Sequence, residues 1–239
     1  MTGQALTPAT AEQVAAARTA SDALGLYFQL ADPVIDHQPG WRSAAELYEL
    51  KTGPLDELLD TAAERLGSGE RRVAASLFYQ GYAARLLSPQ LGCLITGGHL
   101  PFVPADQLRY RAPATELIQL GLPPSPGWQG PVESLLDELL DRSFTAHLLP
   151  LATAIQARTS LSAAILHDNA ASALINGLRL LAPRLEEGDW RPLATRALAH
   201  QNLRGSGNLR AAEPAFVRRS CCLYYRTPAG GLCGDCPLA

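Results

Sequence analysis

Apolar residues recur at helical spacing along most of the chain. Over residues 7–29, Val14, Leu24, Leu26 and Phe28 stand among alanines, with Thr10 placed as N-cap and Gln13 three residues on to complete a capping box. Pro33, Pro39 and Gly40 interrupt the pattern, and 42–51, 55–66 and 69–87 then carry it again between Gly or Pro positions. After Gly130 it returns over 131–149, 150–160, 161–181 and 192–203. Between Gly97 and Gly130 the period changes to two. There 107–111 (QLRYR) and 115–120 (TELIQL) alternate polar with apolar, which predicts a small antiparallel hairpin.

These elements predict a mainly α fold: a helical domain with a small β-hairpin element over 1–204, then a cysteine-rich segment over 205–239. The division is placed at the flexible composition of 204–208 (RGSGN). A length of 239 residues suffices for one good-sized core with a small appendage, not for three domains. With 47% hydrophobic and 18% charged residues, the composition is that of a globular chain and excludes general disorder.

A net charge of -3, with no dense basic run, gives no electrostatic reason to expect a nucleic-acid partner. The N-terminus lacks the basic start and apolar stretch of a signal peptide, and no segment is long and apolar enough to span a bilayer. The expectation is therefore a cytoplasmic protein without a membrane span. The acidic groups at Glu186, Glu187, Asp137, Glu138 and Asp141 read as solvated helix surface. The histidines at 37, 99, 147, 167 and 200 lack the spacing that puts two ligands on one helix face.

Chemistry concentrates at the C-terminus. Of five cysteines, four (Cys221, Cys222, Cys233, Cys236) fall in the last nineteen residues, whereas Cys93 sits in an apolar run and reads as a core residue. In a reducing compartment such clustering points to a metal or redox site rather than a disulfide framework. Thiolates select iron–sulfur clusters, zinc or copper(I), which leaves chiefly an iron–sulfur cluster against zinc. The vicinal pair Cys221-Cys222 argues mildly against a zinc ribbon, which presents two knuckles of C-x-x-C type. Gly230, Gly231 and Gly234 permit tight turns that bring backbone N–H groups to the sulfurs.

Arg219-Ser-Cys-Cys-Leu-Tyr-Tyr-Arg226 followed by Gly230-Gly-Leu-Cys-Gly-Asp-Cys236 resembles the C-terminal signature of the FhuF-type ferric siderophore reductases: two adjacent cysteines, ten residues, then C-x-x-C. The helix carrying Asn169-Ala-Ala-Ser-Ala-Leu174 is also similar to that family, although His167-Asp168 stands where the family has Trp-Gly. The resemblance implies that Cys221, Cys222, Cys233 and Cys236 ligate a [2Fe–2S] cluster and that the protein reduces siderophore-bound Fe³⁺, a hydroxamate chelate being the suggested substrate.

No dinucleotide fingerprint or P-loop is present, so electrons are expected from an external ferredoxin or flavoprotein reductase. Arg219, Tyr224, Tyr225 and Arg226 are candidates for docking substrate or donor. Two other readings use the same residues. One is an iron–sulfur sensor, for which no DNA-binding module is evident; the other is a helical binding protein with a structural zinc tail.

Overall fold

A computed structural model describes residues 5–34, 36, 39–113 and 118–239, without the Glu187 side chain. The longest element, α3 (Arg71–Gly97), runs through the middle of the core. Around it pack α1 (Ala11–Asp22), α2 (Pro54–Arg65), α4 (Val132–Ser143), α5 (Leu149–Gln156) and α6 (Ala163–Leu180), while α7 (Arg191–Ala199) lies against α4 and α6. The mainly α expectation holds. Thr10 caps α1 as predicted: Gln13 N donates to Thr10 Oγ1 at 3.3 Å, and Thr10 N donates to Gln13 Oε1 at 2.9 Å.

Two of the predicted helical segments are corrected first. The pattern over 69–87 stops before Pro89, yet α3 continues ten residues further. A helical proline removes one N–H and costs about 3 kcal/mol, but Leu86, Leu87, Leu91 and Leu94 are all buried here. Gln90 Nε2 also donates to Leu86 O at 2.8 Å, and Ser21 Oγ to Pro89 O at 3.1 Å. Gly92 is needed on this turn because a Cβ there would collide with Ser21 of α1. The second correction concerns 42–51, which is not an α-helix. Arg42 and Ser43 form the short strand β2 (Arg42–Ser43), a 3₁₀ turn covers Ala44–Tyr48, and Glu49 is extended. Strand pairing at its start leaves too few residues for a helix to propagate.

The region from 97 to 130 is richer than one hairpin. β4 (Arg109–Arg111) pairs with β5 (Gln119–Gly121) in the predicted sense, Tyr110 opposite Leu120, and β2 joins β4 at the other edge. A second sheet places β6 (Gly127–Gln129) between β1 (Thr7–Ala9) and β3 (His99–Pro101), so 7–9 is strand rather than helix. Residues 115–117 of the predicted second strand, and His37, lie outside the described residues. The last sheet is the hairpin of β7 (Gly207–Leu209) and β8 (Phe216–Arg218), and Phe216 belongs to the same core as the helices.

Between α4 and α5 a π-helical turn, Phe144–Leu148, carries His147 into the interior. Its Nε2 lies 2.7 Å from Val103 O and its Nδ1 2.7 Å from Tyr48 Oη, which is 2.6 Å from Tyr82 Oη. Because Val103 O only accepts, Nε2 holds the proton, Nδ1 accepts from Tyr48, and Tyr48 accepts from Tyr82. Burial lowers the His147 pKa to about 4. Cys93 is buried, and burial pushes its thiol up to about 12, as befits a core residue. Of the acidic groups, Asp137 pairs with Arg196 at 2.5 Å and Glu138 with Arg142. Among the described residues no helix is long and apolar enough to cross a membrane.

Candidate metal centre

The C-terminal segment lies on the faces of α3 and α6, and α6 explains why it settles there. Residues 168 and 172, and 169 and 172, share a helix face at i,i+4 and i,i+3. On that face Asp168, Asn169 and Ser172 are buried polar groups, and each takes a partner from the tail. Ser220 N and Oγ donate to Asp168 Oδ2 at 2.6 and 2.5 Å. Asn169 Oδ1 accepts from Arg218 Nη1 at 2.6 Å, and Ser172 Oγ accepts from Arg218 Nη2. Asn169 Nδ2 in turn donates to Ser76 O and Oγ on α3, both at 2.9 Å, and Ser76 Oγ donates to Cys222 O at 2.8 Å. A single connected network thus ties the two long helices to the cysteine segment.

From β8 the chain turns at Leu223, a non-glycine residue in the left-handed region (φ 69°), and continues through a 3₁₀ turn at Tyr224–Arg226. Thr227 N donates to Tyr224 O and Gly230 N to Thr227 O, which closes the loop. A Cβ at Gly230 would collide with Tyr224 O, so this position requires glycine; Gly231 and Gly234 face open space. The Cys233–Cys236 loop is closed by Cys236 N to Cys233 O at 3.1 Å and tied to β8 by Arg218 N to Asp235 O at 3.1 Å.

This folding brings Cys222 Sγ within 3.6 Å of Cys233 Sγ. Two thiolates on one tetrahedral ion with metal–sulfur bonds of about 2.3 Å sit about 3.8 Å apart, so the pair already has the span of one tetrahedral edge. Backbone donors point at the other two sulfurs: Leu223 N at Cys221 Sγ (3.3 Å) and Leu238 N at Cys236 Sγ (3.4 Å). Among the described residues no three His, Cys, Asp or Glu side chains converge on one point. A two-iron cluster asks for thiolates in pairs, its sulfides completing each iron's shell. The donor set, four thiols of which one pair is already at tetrahedral-edge distance, fits such a cluster.

The thiols differ electrostatically. The hydrogen bond from Cys233 holds Cys222 down to about 7 against its burial, with help from the Tyr224 backbone and the Arg218 charge. The same hydrogen bond, then burial, pushes Cys233 well up; burial also raises Cys221. Cys222 and Cys233 line a surface cleft of about 350 Å³ together with Leu77, Gln80, Gly81, Ala84 and Tyr224.

Of the candidate docking residues, only Tyr224 borders that cleft. Its hydroxyl donates to Ala229 O at 3.2 Å. Tyr225 is 45% exposed, Arg219 is exposed, and Arg226 pairs with Glu70 of the α3 N-terminus at 2.6 Å. Sequence reasoning missed Ser76, Asp168 and Asp235 and did not single out Arg218. The available signal was polar Asn169 and Ser172 at i,i+3 among the small and apolar residues Ala170, Ala171, Ala173 and Leu174, a placement that only a buried partner makes tolerable.

Residues 218–238 match the family model described as the FhuF 2Fe-2S C-terminal domain, an interval that opens on Arg218 and contains all four cysteines. The segment is thus of the FhuF type, and its cofactor is a [2Fe–2S] cluster. No curated protein matches the chain.

Proposed function

We propose that this protein is a ferric-siderophore reductase of the cytoplasm, and that Cys221, Cys222, Cys233 and Cys236 hold its [2Fe–2S] cluster. When bound, the cluster supplies a one-electron couple. The observation that carries the reading is the cleft on α3: two of the four thiols border it, so an electron acceptor seated there is separated from the centre by no intervening secondary structure. Siderophores hold Fe³⁺ through hard oxygen donors, and Fe²⁺, less charged and softer, binds those donors far less tightly. One electron delivered to the chelate therefore frees the metal. The electron is replaced by an external one-electron donor of the ferredoxin or flavoprotein class. Tyr224, Gln80 and the small side of Gly81 and Ala84 shape the cleft, while Arg219, Tyr225 and Arg226 offer contacts around the segment for an acidic donor or chelate.

The test is stoichiometric. Anaerobically purified protein is assayed for iron, sulfide and zinc, reduced with dithionite, freed of excess reductant and mixed with a ferric hydroxamate siderophore beside a ferrous-specific chelator. The expected result is one Fe²⁺ trapped per reduced cluster, with return of the oxidised visible spectrum. Reoxidation by oxygen alone, with no Fe²⁺ release, refutes the reductase reading; one zinc per chain and no colour refutes electron transfer altogether.

A further inference from the structure

Arg218 is the largest fully buried side chain among the described residues, with 1% of its surface exposed. A guanidinium presents five N–H donors and keeps its charge at any ordinary pH, so each buried N–H needs an acceptor. Nη1 has Asn169 Oδ1; Nη2 has Ser172 Oγ and both oxygens of Asp235, at 3.0 and 2.9 Å. Nε is buried and has no acceptor among the described residues. Such a donor forfeits a charge-assisted hydrogen bond unless a ligand supplies the missing atom. The group stands three residues before Cys221 and one strand bond from the Cys233–Cys236 loop.

We propose that Arg218 is the internal counter-ion of the iron–sulfur centre: its free Nε–H donates to a sulfur of the cluster, and the fixed guanidinium sets the reduction potential. An oxidised two-iron cluster with four thiolates carries a charge of about -2 and becomes more negative by one on reduction. A fixed cation and an N–H donor stabilise the more negative form more, so they make the centre easier to reduce. Asn169, Ser172 and Asp235 are positioning residues, which hold the guanidinium by its outer nitrogens and leave Nε as the free edge. The inference rests on the cofactor assignment and not on the identity of the electron acceptor.

Mediated spectroelectrochemical titration of the holoprotein tests it. Arg218→Met alone leaves Asp235 as an unpaired buried carboxylate, and removing both charges at once cancels much of the effect, so the double substitution Arg218→Met, Asp235→Asn is read against Asp235→Asn, from which it differs by the guanidinium alone. The expected outcome is a fall of about tenfold or more in the ratio of reduced to oxidised cluster at a given potential. That corresponds to a midpoint about 59 mV more negative for a one-electron couple. Arg218→Lys, which keeps the charge but not the Nε–H, should move the same way by less. A midpoint in the loaded double variant unchanged from that of Asp235→Asn overturns the proposal. A second measurement needs no substitution at Arg218: protein grown on arginine labelled with ¹⁵N at Nε is reduced with dithionite and its cluster studied by pulsed electron paramagnetic resonance. A ¹⁵N coupling that persists in Arg219→Lys is expected. Its absence, or its loss in Arg219→Lys, overturns the proposal even if the double variant does not fold.

Discussion

Asn169 is the residue through which α3, α6 and the cysteine segment meet, and truncating it to alanine removes all of its bonds at once. The side chain is fully buried, donates twice to Ser76 and accepts from the Arg218 guanidinium. Two bonds between neutral groups contribute about 1 kcal/mol each, and the charged one about 2 kcal/mol, because its loss leaves a buried guanidinium N–H unpaired. The expected loss for Asn169→Ala is about 4 kcal/mol, a large part of the 5–15 kcal/mol or so that holds a typical domain together. With a urea slope of about 3 kcal/mol/M for a chain of this length, the midpoint should fall by about 1 M. Far-ultraviolet circular dichroism reads the helical body, and visible absorbance of the cluster reads the tail. Absorbance should be lost at lower urea than the circular dichroism, because Asn169 clamps the segment more directly than it supports the helices. A drop of no more than about 0.2 M in both signals, the size expected for an exposed substitution, refutes the reasoning.

Cys222→Ser should purify without a normal visible spectrum and with depleted iron, whereas Cys93→Ser, a change in the core, should keep the spectrum; metal and sulfide assays on both decide it. Gly230→Ala should lower cluster occupancy several-fold, because its methyl group would collide with Tyr224 O and open the loop that presents Cys233, while circular dichroism stays that of the native body. For His147, the folded-state pKa of about 4 lies below the ordinary value near 6.5. The unfolded chain therefore takes up the proton first, and stability is complete above about pH 6.5 and falls as pH drops towards 4, by up to about 3 kcal/mol. Urea midpoints across that window should fall more steeply for the native protein than for His147→Gln; equal slopes would contradict the burial argument.

The helical elements were legible wherever periodicity and punctuation agreed. Thr10 with Gln13 marks the start of α1, and both capping bonds form. Local capping chemistry is written in neighbouring residues, so it needs no tertiary information. The cysteine spacing was equally local and pointed to the cofactor class before any fold was known. What the sequence did not disclose depends on long-range partners. Pro89 reads as a helix stop and is passed over, because Gln90, Ser21 and the surrounding core compensate for the missing bond. Arg218 is one of several arginines in the sequence, and its burial is decided by the fold, since Asp235, Asn169 and Ser172 come from 17, 49 and 46 residues away to satisfy it. The residue types of the centre were thus determined by the sequence alone. Their electrostatic setting was decided by tertiary packing, because the cost of burying a charge depends on which groups the fold brings within a hydrogen bond of it.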